Sequence, residues 1–229
     1  MTERRKALMS WSSGKDSAYA LHVARSAGEL ELVGLLTTIN AAADRVAMHG
    51  VRHELLRAQA EAVGLPLHVI ELPSPCPNEI YEQRMAAFVE QARTDGIEAV
   101  VFGDLFLADI RAYRERQLAG TGIEPVFPLW GRDTQSLAHE LLRAGVVATL
   151  SCVDLAKLPR ELVGRRWDDA LLRELPAGVD PCGEHGEFHT FVSDGPGFAK
   201  AIEIEVGETV VRDGFAFADL LPSSIDGAG

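Results

Sequence analysis

Through its first 130 residues the chain alternates between two periods. KALMSW (6–11), ELVGLLTTI (31–39), LHVIEL (67–72) and EAVVFG (98–103) are short runs rich in Val, Ile and Leu, with the length of buried strands. Between them lie amphipathic stretches of helical length, 16–26, 51–63 and 78–94, the last entered through the turn-forming PSPCP. Strand followed by helix, repeated, predicts an α/β fold: an open parallel sheet whose right-handed crossovers lay helices on both faces. After EPVFPLW (124–130) the rhythm changes. One more helix (134–144) and one more strand (146–152) lead into two short helical pieces, a Gly-rich segment around PCGEHGEFHTFV, and the alternating runs AIEIEV and ETVVRDG. This tail reads as a smaller α+β unit with antiparallel strands. The chain is therefore divided into residues 1–130 and 131–229. No internal repeat and no low-complexity linker separates the two parts, so they are expected to share an interface.

Composition narrows what such a fold does. A chain of 229 residues, 47% of them hydrophobic, buries a full core. The formal charge of −12 argues against a surface built to neutralise nucleic-acid phosphates. No apolar run approaches the roughly 20 residues that cross a bilayer, and the basic MTERRK leads into no apolar signal segment. The expectation is a cytoplasmic protein with no membrane partner. Cys76, Cys152 and Cys182 form no CxxC pair and no zinc spacing, and read as reduced thiols.

The stretch LMSWSSGKDSAYALHVA (8–24) is where chemistry enters. In an open parallel sheet, ligands bind beyond the carboxyl ends of the strands, where a short loop enters the next helix. Amide groups there lack intrahelical partners, and the helix dipole adds partial positive charge, so phosphate is favoured. Small residues at Ser12, Ser13 and Gly14 let the backbone close on an anion. Lys15 adds a point charge and Ser12 and Ser17 hydroxyls, while Asp16 supplies a carboxylate for magnesium or for a helix cap. A Walker A loop is excluded, because Met9 and Asp16 stand where it requires Gly and Ser or Thr. A dinucleotide fingerprint is excluded as well, since the turn holds one Gly.

The hexapeptide resembles the pyrophosphate loop, S-G-G-x-D-S, of enzymes that split ATP between its α and β phosphates. Ser13 stands for the first Gly, a mild change if that position needs no positive φ. With FGDLFLADIRAYRERQLAGTGIEPVFPLW (102–130) and CGEHGEFHTFV (182–192), the chain resembles the diphthine-ammonia ligase family of adenine-nucleotide α-hydrolase-like proteins. The resemblance implies a Rossmann-like HUP domain that binds ATP and a C-terminal domain that completes a pocket for a carboxylate. It also implies amidation of that carboxylate by ammonium with release of AMP and pyrophosphate. Two segments depart from the family pattern. His189 replaces the third acid of E-x-G-E-x-E-T, and Tyr113 and Leu118 replace an Arg and a Cys in the central segment. The acceptor half is thus altered while the ATP half is intact, which suggests a divergent, bacterial-looking branch acting on another acid.

On this reading ATP is held by Ser12, Ser13, Gly14, Lys15, Asp16 and Ser17, with magnesium near Asp16. Thr37, His49, Gly103 and Asp104 form the rest of the nucleotide edge. Asp104 also reads as a cap of the following helix. Glu184 and Glu187, three apart in a Gly-flanked turn, are read with Asp16 as catalytic: they suit magnesium, ammonium or the proton of an attacking amine. Arg111, a planar fork suited to a carboxylate, is read with Glu115, Glu184, Glu187 and Thr190 as binding the acceptor. Arg114 and Arg116 read as ordinary surface charges. The expected partners are a small-molecule or protein-borne carboxylate and ammonium or an amine, with monomer and homodimer both open. Two other classes share parts of this pattern. A sulfur-transfer enzyme on RNA needs cooperating cysteines and a basic face, and a non-catalytic ATP-binding module needs no acidic turn.

Overall fold

A computed structural model describes residues 4–40, 45–46 and 50–223. Five strands, β1 (Arg5–Ser10), β2 (Leu30–Asn40), β4 (Leu67–Leu72), β5 (Ala99–Val101) and β6 (Glu124–Val126), form a parallel sheet in the order β4-β2-β1-β5-β6. The two-residue β3 (Arg45–Val46) joins the end of β2 antiparallel. The chain starts at β1, moves outward through β2 and β4, then returns to the other side of β1 for β5 and β6. That reversal opens a crevice between the carboxyl ends of β1 and β5, the place where such sheets hold ligands.

Alternation along the strands sorts residues to two faces. Ala7, Met9, Ala99 and Val101 join α1 (Lys15–Ala27) and α2 (His53–Val63) in one core. Leu8, Val100 and Phe102 face the side of α3 (Asn78–Thr94) and α4 (Ala108–Leu118). α1 and α2 end at Gly28 and Gly64, whose φ of 71° and 70° close left-handed caps.

The C-terminal part is built on β7 (Val147–Asp154). It pairs antiparallel with β9 (Phe188–Asp194) along one side and with β8 (Arg166–Trp167) and β11 (Phe215–Pro222) along the other, and β10 (Ile204–Arg212) pairs with β11. Among the described residues this part has two helices, α5 (Thr134–Arg143) and α6 (Asp169–Glu174), and one 3-10 turn at Arg160–Leu162. The two alternating runs expected at 201–206 and 208–214 form one strand, β10, with an irregularity between Val206 and Thr209. Its hairpin partner β11 was not anticipated, although Asp213-Gly214 marks the turn: both residues have positive φ, 53° and 83°, as a type I′ turn requires.

The expected α/β sheet with a smaller α+β unit is the fold observed, and the two parts share a core. The cluster that holds Met9, Leu55 and Val101 continues through Leu137 and Leu141 of α5 to Leu150, Trp167 and Phe191. Arg52 at the start of α2 adds a bidentate contact to Asp219 of β11, at 2.9 and 2.7 Å. No helix among the described residues is long and apolar enough to cross a membrane.

Candidate active site

The loop after β1 is closed by its own hydroxyls. Ser12 Oγ donates to Ser17 Oγ at 3.1 Å, and Ser17 Oγ donates to the Gly14 carbonyl at 2.9 Å. Gly14 is the N-cap of α1 and has no side chain with which to cap it, and Asp16 does not stand at the N-cap position. Ser13 occupies the left-handed region at φ 71°. The position therefore does require positive φ, and serine there bears a conformational cost of about 1–2 kcal/mol that glycine avoids. Three bonds hold Ser13 and its strand neighbour in place. Its carbonyl accepts from Val192 N at 2.9 Å and from Gln59 Nε2 at 3.0 Å, while the same Gln59 amide group reaches the Val192 carbonyl at 2.7 Å. Gln59 Oε1 accepts from Trp11 Nε1 at 2.8 Å, so a buried glutamine knits β1, α2 and β9 around the loop.

The C-terminal part completes the site. Thr190 Oγ1 accepts from Lys15 N at 3.1 Å, which makes Thr190 a cap on the α1 terminus. Asp180 organises the acidic turn: its Oδ1 accepts from Cys182 N (2.8 Å) and Glu184 N (3.4 Å), and its Oδ2 from Thr134 Oγ1 (2.7 Å). Glu184 reaches out of this turn to the N–H of Leu105 at 3.3 Å. Glu187 turns inward. It is buried, with Oε1 accepting from Asp180 N at 3.1 Å and Oε2 without a hydrogen-bond partner.

Carboxylates crowd this seam, and burial raises their proton affinity. Burial, then the charge of Asp16, pushes Glu184 up to about 7. Burial raises Asp16 against the pull of Lys15, and raises Asp104 against Arg114, whose Nε lies 3.9 Å from Asp104 Oδ2. Asp104 does not cap α4, whose N-cap is Leu107 with no side-chain bond. Gly103 is needed for packing: a Cβ there would stand 2.9 Å from the backbone of Asp16 and Ser17. His189 is pushed down to about 4, first by burial and then by Lys15, so a neutral ring stands where the family pattern has an acid.

Beside the loop, a cavity of about 580 Å³ opens between α3 and α4, within the usual range for small-molecule sites. Its lining includes Ser12, Thr37 and Thr38, the apolar side chains of Phe88, Val89 and Phe102, and Tyr81, Tyr113 and Arg114. Thr37 lines the cavity with Ser12, Gly103 packs on the backbone of Asp16 and Ser17, and Glu184 reaches the Leu105 N–H next to Asp104. Arg111 and Glu115 do not line the cavity. They pair with each other at 2.7 Å, and the Arg111 guanidinium stacks 4.8 Å from Phe127 and 4.7 Å from Trp130. His49 lies outside the described residues. Sequence reasoning missed Gln59, whose place among Leu55, Leu56 and Ala60 on the apolar face of α2 was the available signal. It also set aside Arg114, which lines the cavity and stacks 5.0 Å from Phe102.

Residues 5–125 match the family described as the diphthamide synthase N-terminal domain, and residues 133–219 match the diphthamide synthase C-terminal domain. The protein named diphthine–ammonia ligase in Danio rerio is 32% identical over 231 residues, covering 90% of this chain and 89% of its own length. The Homo sapiens protein of that name is 27% identical over 229 residues, covering 90% of this chain and 85% of its own. A third of that name, from Schizosaccharomyces pombe, is 26% identical over 221 residues, 87% of this chain and 36% of the relative.

Proposed function

We infer the function from one premise: this chain belongs to the diphthamide synthase family. It is an ATP-dependent amide ligase. A carboxylate oxygen of the acceptor attacks the α phosphorus, the bond to the β phosphate breaks, and pyrophosphate leaves. Ammonia or an amine then attacks the acyl carbon, AMP leaves, and the nitrogen gives up a proton.

The observation that carries this reading is the meeting of the phosphate loop with the acidic turn. The two lie some 170 residues apart in sequence, yet Lys15 Nζ bonds the Cys182 carbonyl that opens the turn, Lys15 N bonds Thr190 of the strand that follows it, and Glu184 bonds Leu105. We assign residues 1–130 to ATP and 131–229 to the acceptor side. The backbone and hydroxyls of Ser12, Ser13, Gly14 and Ser17 suit the phosphates, and Thr37 with the cavity behind it suits the nucleoside. Magnesium fits Asp16, whose buried Oδ1 has no hydrogen-bond partner. Among the described residues no group of three or more His, Cys, Asp or Glu is placed to hold a metal alone. Such an ion would be held by one carboxylate and substrate phosphates. When bound, such an ion draws charge from the leaving pyrophosphate. Glu184, poised near 7, suits the proton that ammonium must lose before it attacks. Glu187 braces the turn from within. The relatives' name specifies diphthine for those proteins; here we assign the acceptor as a carboxylate, with neutral His189 standing where the family pattern has an acid.

The test is the product. With ATP, magnesium, ammonium and a panel of carboxylates, AMP and pyrophosphate should form in equal amounts and only with an acceptor. ADP would overturn the reading. AMP formed only with RNA and a sulfur donor would favour sulfur transfer, and tight ATP binding without turnover a regulatory module.

A further inference from the structure

Lys15 is the charge that the loop offers to phosphate, yet its ammonium points into the seam between the two parts. The residue is 2% exposed. Nζ donates to Asp16 Oδ2 at 2.8 Å and to the carbonyl oxygen of Cys182, and it stands 5.6 Å from the ring centres of both Trp167 and Phe188. Three of these four neighbours belong to the C-terminal part. Two hydrogen bonds and two ring faces offset much of the cost of taking the ammonium out of water. To reach a phosphate, Nζ would have to leave both rings and strip the Cys182 carbonyl of its charged donor, which itself costs free energy.

Cys182 opens the turn that carries Glu184. Its N–H and that of Glu184 share the Asp180 carboxylate, so the carbonyl held by Lys15 is anchored on both sides of the peptide unit that leads into the turn. We propose that Lys15 is a positioning residue, which ties the phosphate loop to the acidic turn and thereby sets Glu184 against the acyl phosphate. This rests on the ligase reading for its catalytic consequence but not for the tether itself. Lys15 does not serve as the counter-charge of ATP. ATP affinity comes from the loop backbone, its hydroxyls and magnesium at Asp16.

The test uses the full chain carrying Lys15→Met, which keeps the length of the side chain and removes its charge, and Trp167→Leu, which removes one ring, together with the bond from Trp167 Nε1 to the Pro181 carbonyl, without touching the phosphate loop. Amide hydrogen exchange is measured over 182–187 without ATP, ATP affinity by calorimetry, and turnover by pyrophosphate release. Lys15→Met should speed exchange across the turn, leave ATP affinity within about threefold and lower turnover by about 100-fold or more. Trp167→Leu should move all three in the same sense by less. A tenfold or greater loss of ATP affinity with unchanged exchange would make Lys15 a phosphate ligand and overturn the proposal. Should Lys15→Met fail to fold, unchanged exchange in Trp167→Leu overturns it equally. The exchange readout needs no turnover, so failure of the tether and failure of the ligase reading are separately visible.

Discussion

On one face of the parallel sheet, Ala7, Met9, Ala99 and Val101 run into α1 and α2 and, through α5, into the second sheet as a continuous core. On the other, Leu8, Val100 and Phe102 belong to one patch under α3 and α4, Leu36, Ile70 and Leu72 to another, and the cavity of about 580 Å³ lies alongside them. The strands supply both faces with similar apolar residues, so the difference comes from the covering helices. α1 buries Ala18, Tyr19, Ala20, Leu21 and Ala24, whereas α3 buries only Ala92 and α4 only Leu118. A closely packed face can hold reacting groups in fixed register, and a loosely covered one leaves volume for a ligand. On the proposed assignment the chemistry lies along the packed side and the space for a nucleoside on the open side.

The comparison breaks most severely at the packed seam. Asp16→Ala should lower pyrophosphate release by about 1,000-fold at saturating magnesium, with circular dichroism unchanged. Glu184→Gln should cost about 100-fold in turnover while calorimetry finds ATP affinity within about threefold. If Glu184→Gln loses ATP binding in step with turnover, the acidic turn belongs to the nucleotide and the division of labour fails.

Urea unfolding sharpens the contrast between faces. Leu55→Ala, in the continuous core, should cost about 3–4 kcal/mol, whereas Met85→Ala, which borders space already open, should cost about 1 kcal/mol. Equal costs would mean that the open face is as well packed as the other.

The pH dependence is a smaller effect. Glu184 binds its proton more tightly in the folded state, where its value is about 7, than in the unfolded chain, where it lies near 4.5. Its contribution to stability is therefore greatest below the unfolded value and is lost as pH rises through about 7. Glu184→Gln removes that loss, so near pH 8 the variant should melt a few degrees above the parent, while the two converge near pH 5. Turnover should rise through the same range in the parent as the carboxylate ionises. Ser13→Gly should have the smallest effect, raising the melting temperature by about 2–4 °C if relief of the left-handed strain is worth about 1 kcal/mol.

Most of the parallel sheet was legible because its signals are local. β4 and α3 have the predicted bounds, and β1, β2 and α1 lie within one residue of theirs at each end. β11 escaped notice despite its Asp-Gly turn because FAFADLLP is apolar on both faces near its end and shows no sustained alternation. The loop could be read because its groups are contiguous. Gln59 and the Leu105 N–H were harder to read, because packing brings them to Ser13 and Glu184 from 46 and 79 residues away, and Arg114 meets Phe102 and Asp104 only across a turn of the chain.

By itself the sequence determined the strand and helix order, the crevice at the end of β1, and the residue types gathered there, since periodicity and turn chemistry act over a few residues. Only the tertiary structure decided which partner each charge takes. Lys15 turns from the loop to the Cys182 carbonyl, Arg111 lies on Phe127 and Trp130, and Arg114 lies on Phe102 beside Asp104. Helical and strand periods place a side chain on a face. A long cation on that face then goes where buried oxygens and aromatic rings best replace the water it loses, and those groups come together only when distant segments pack.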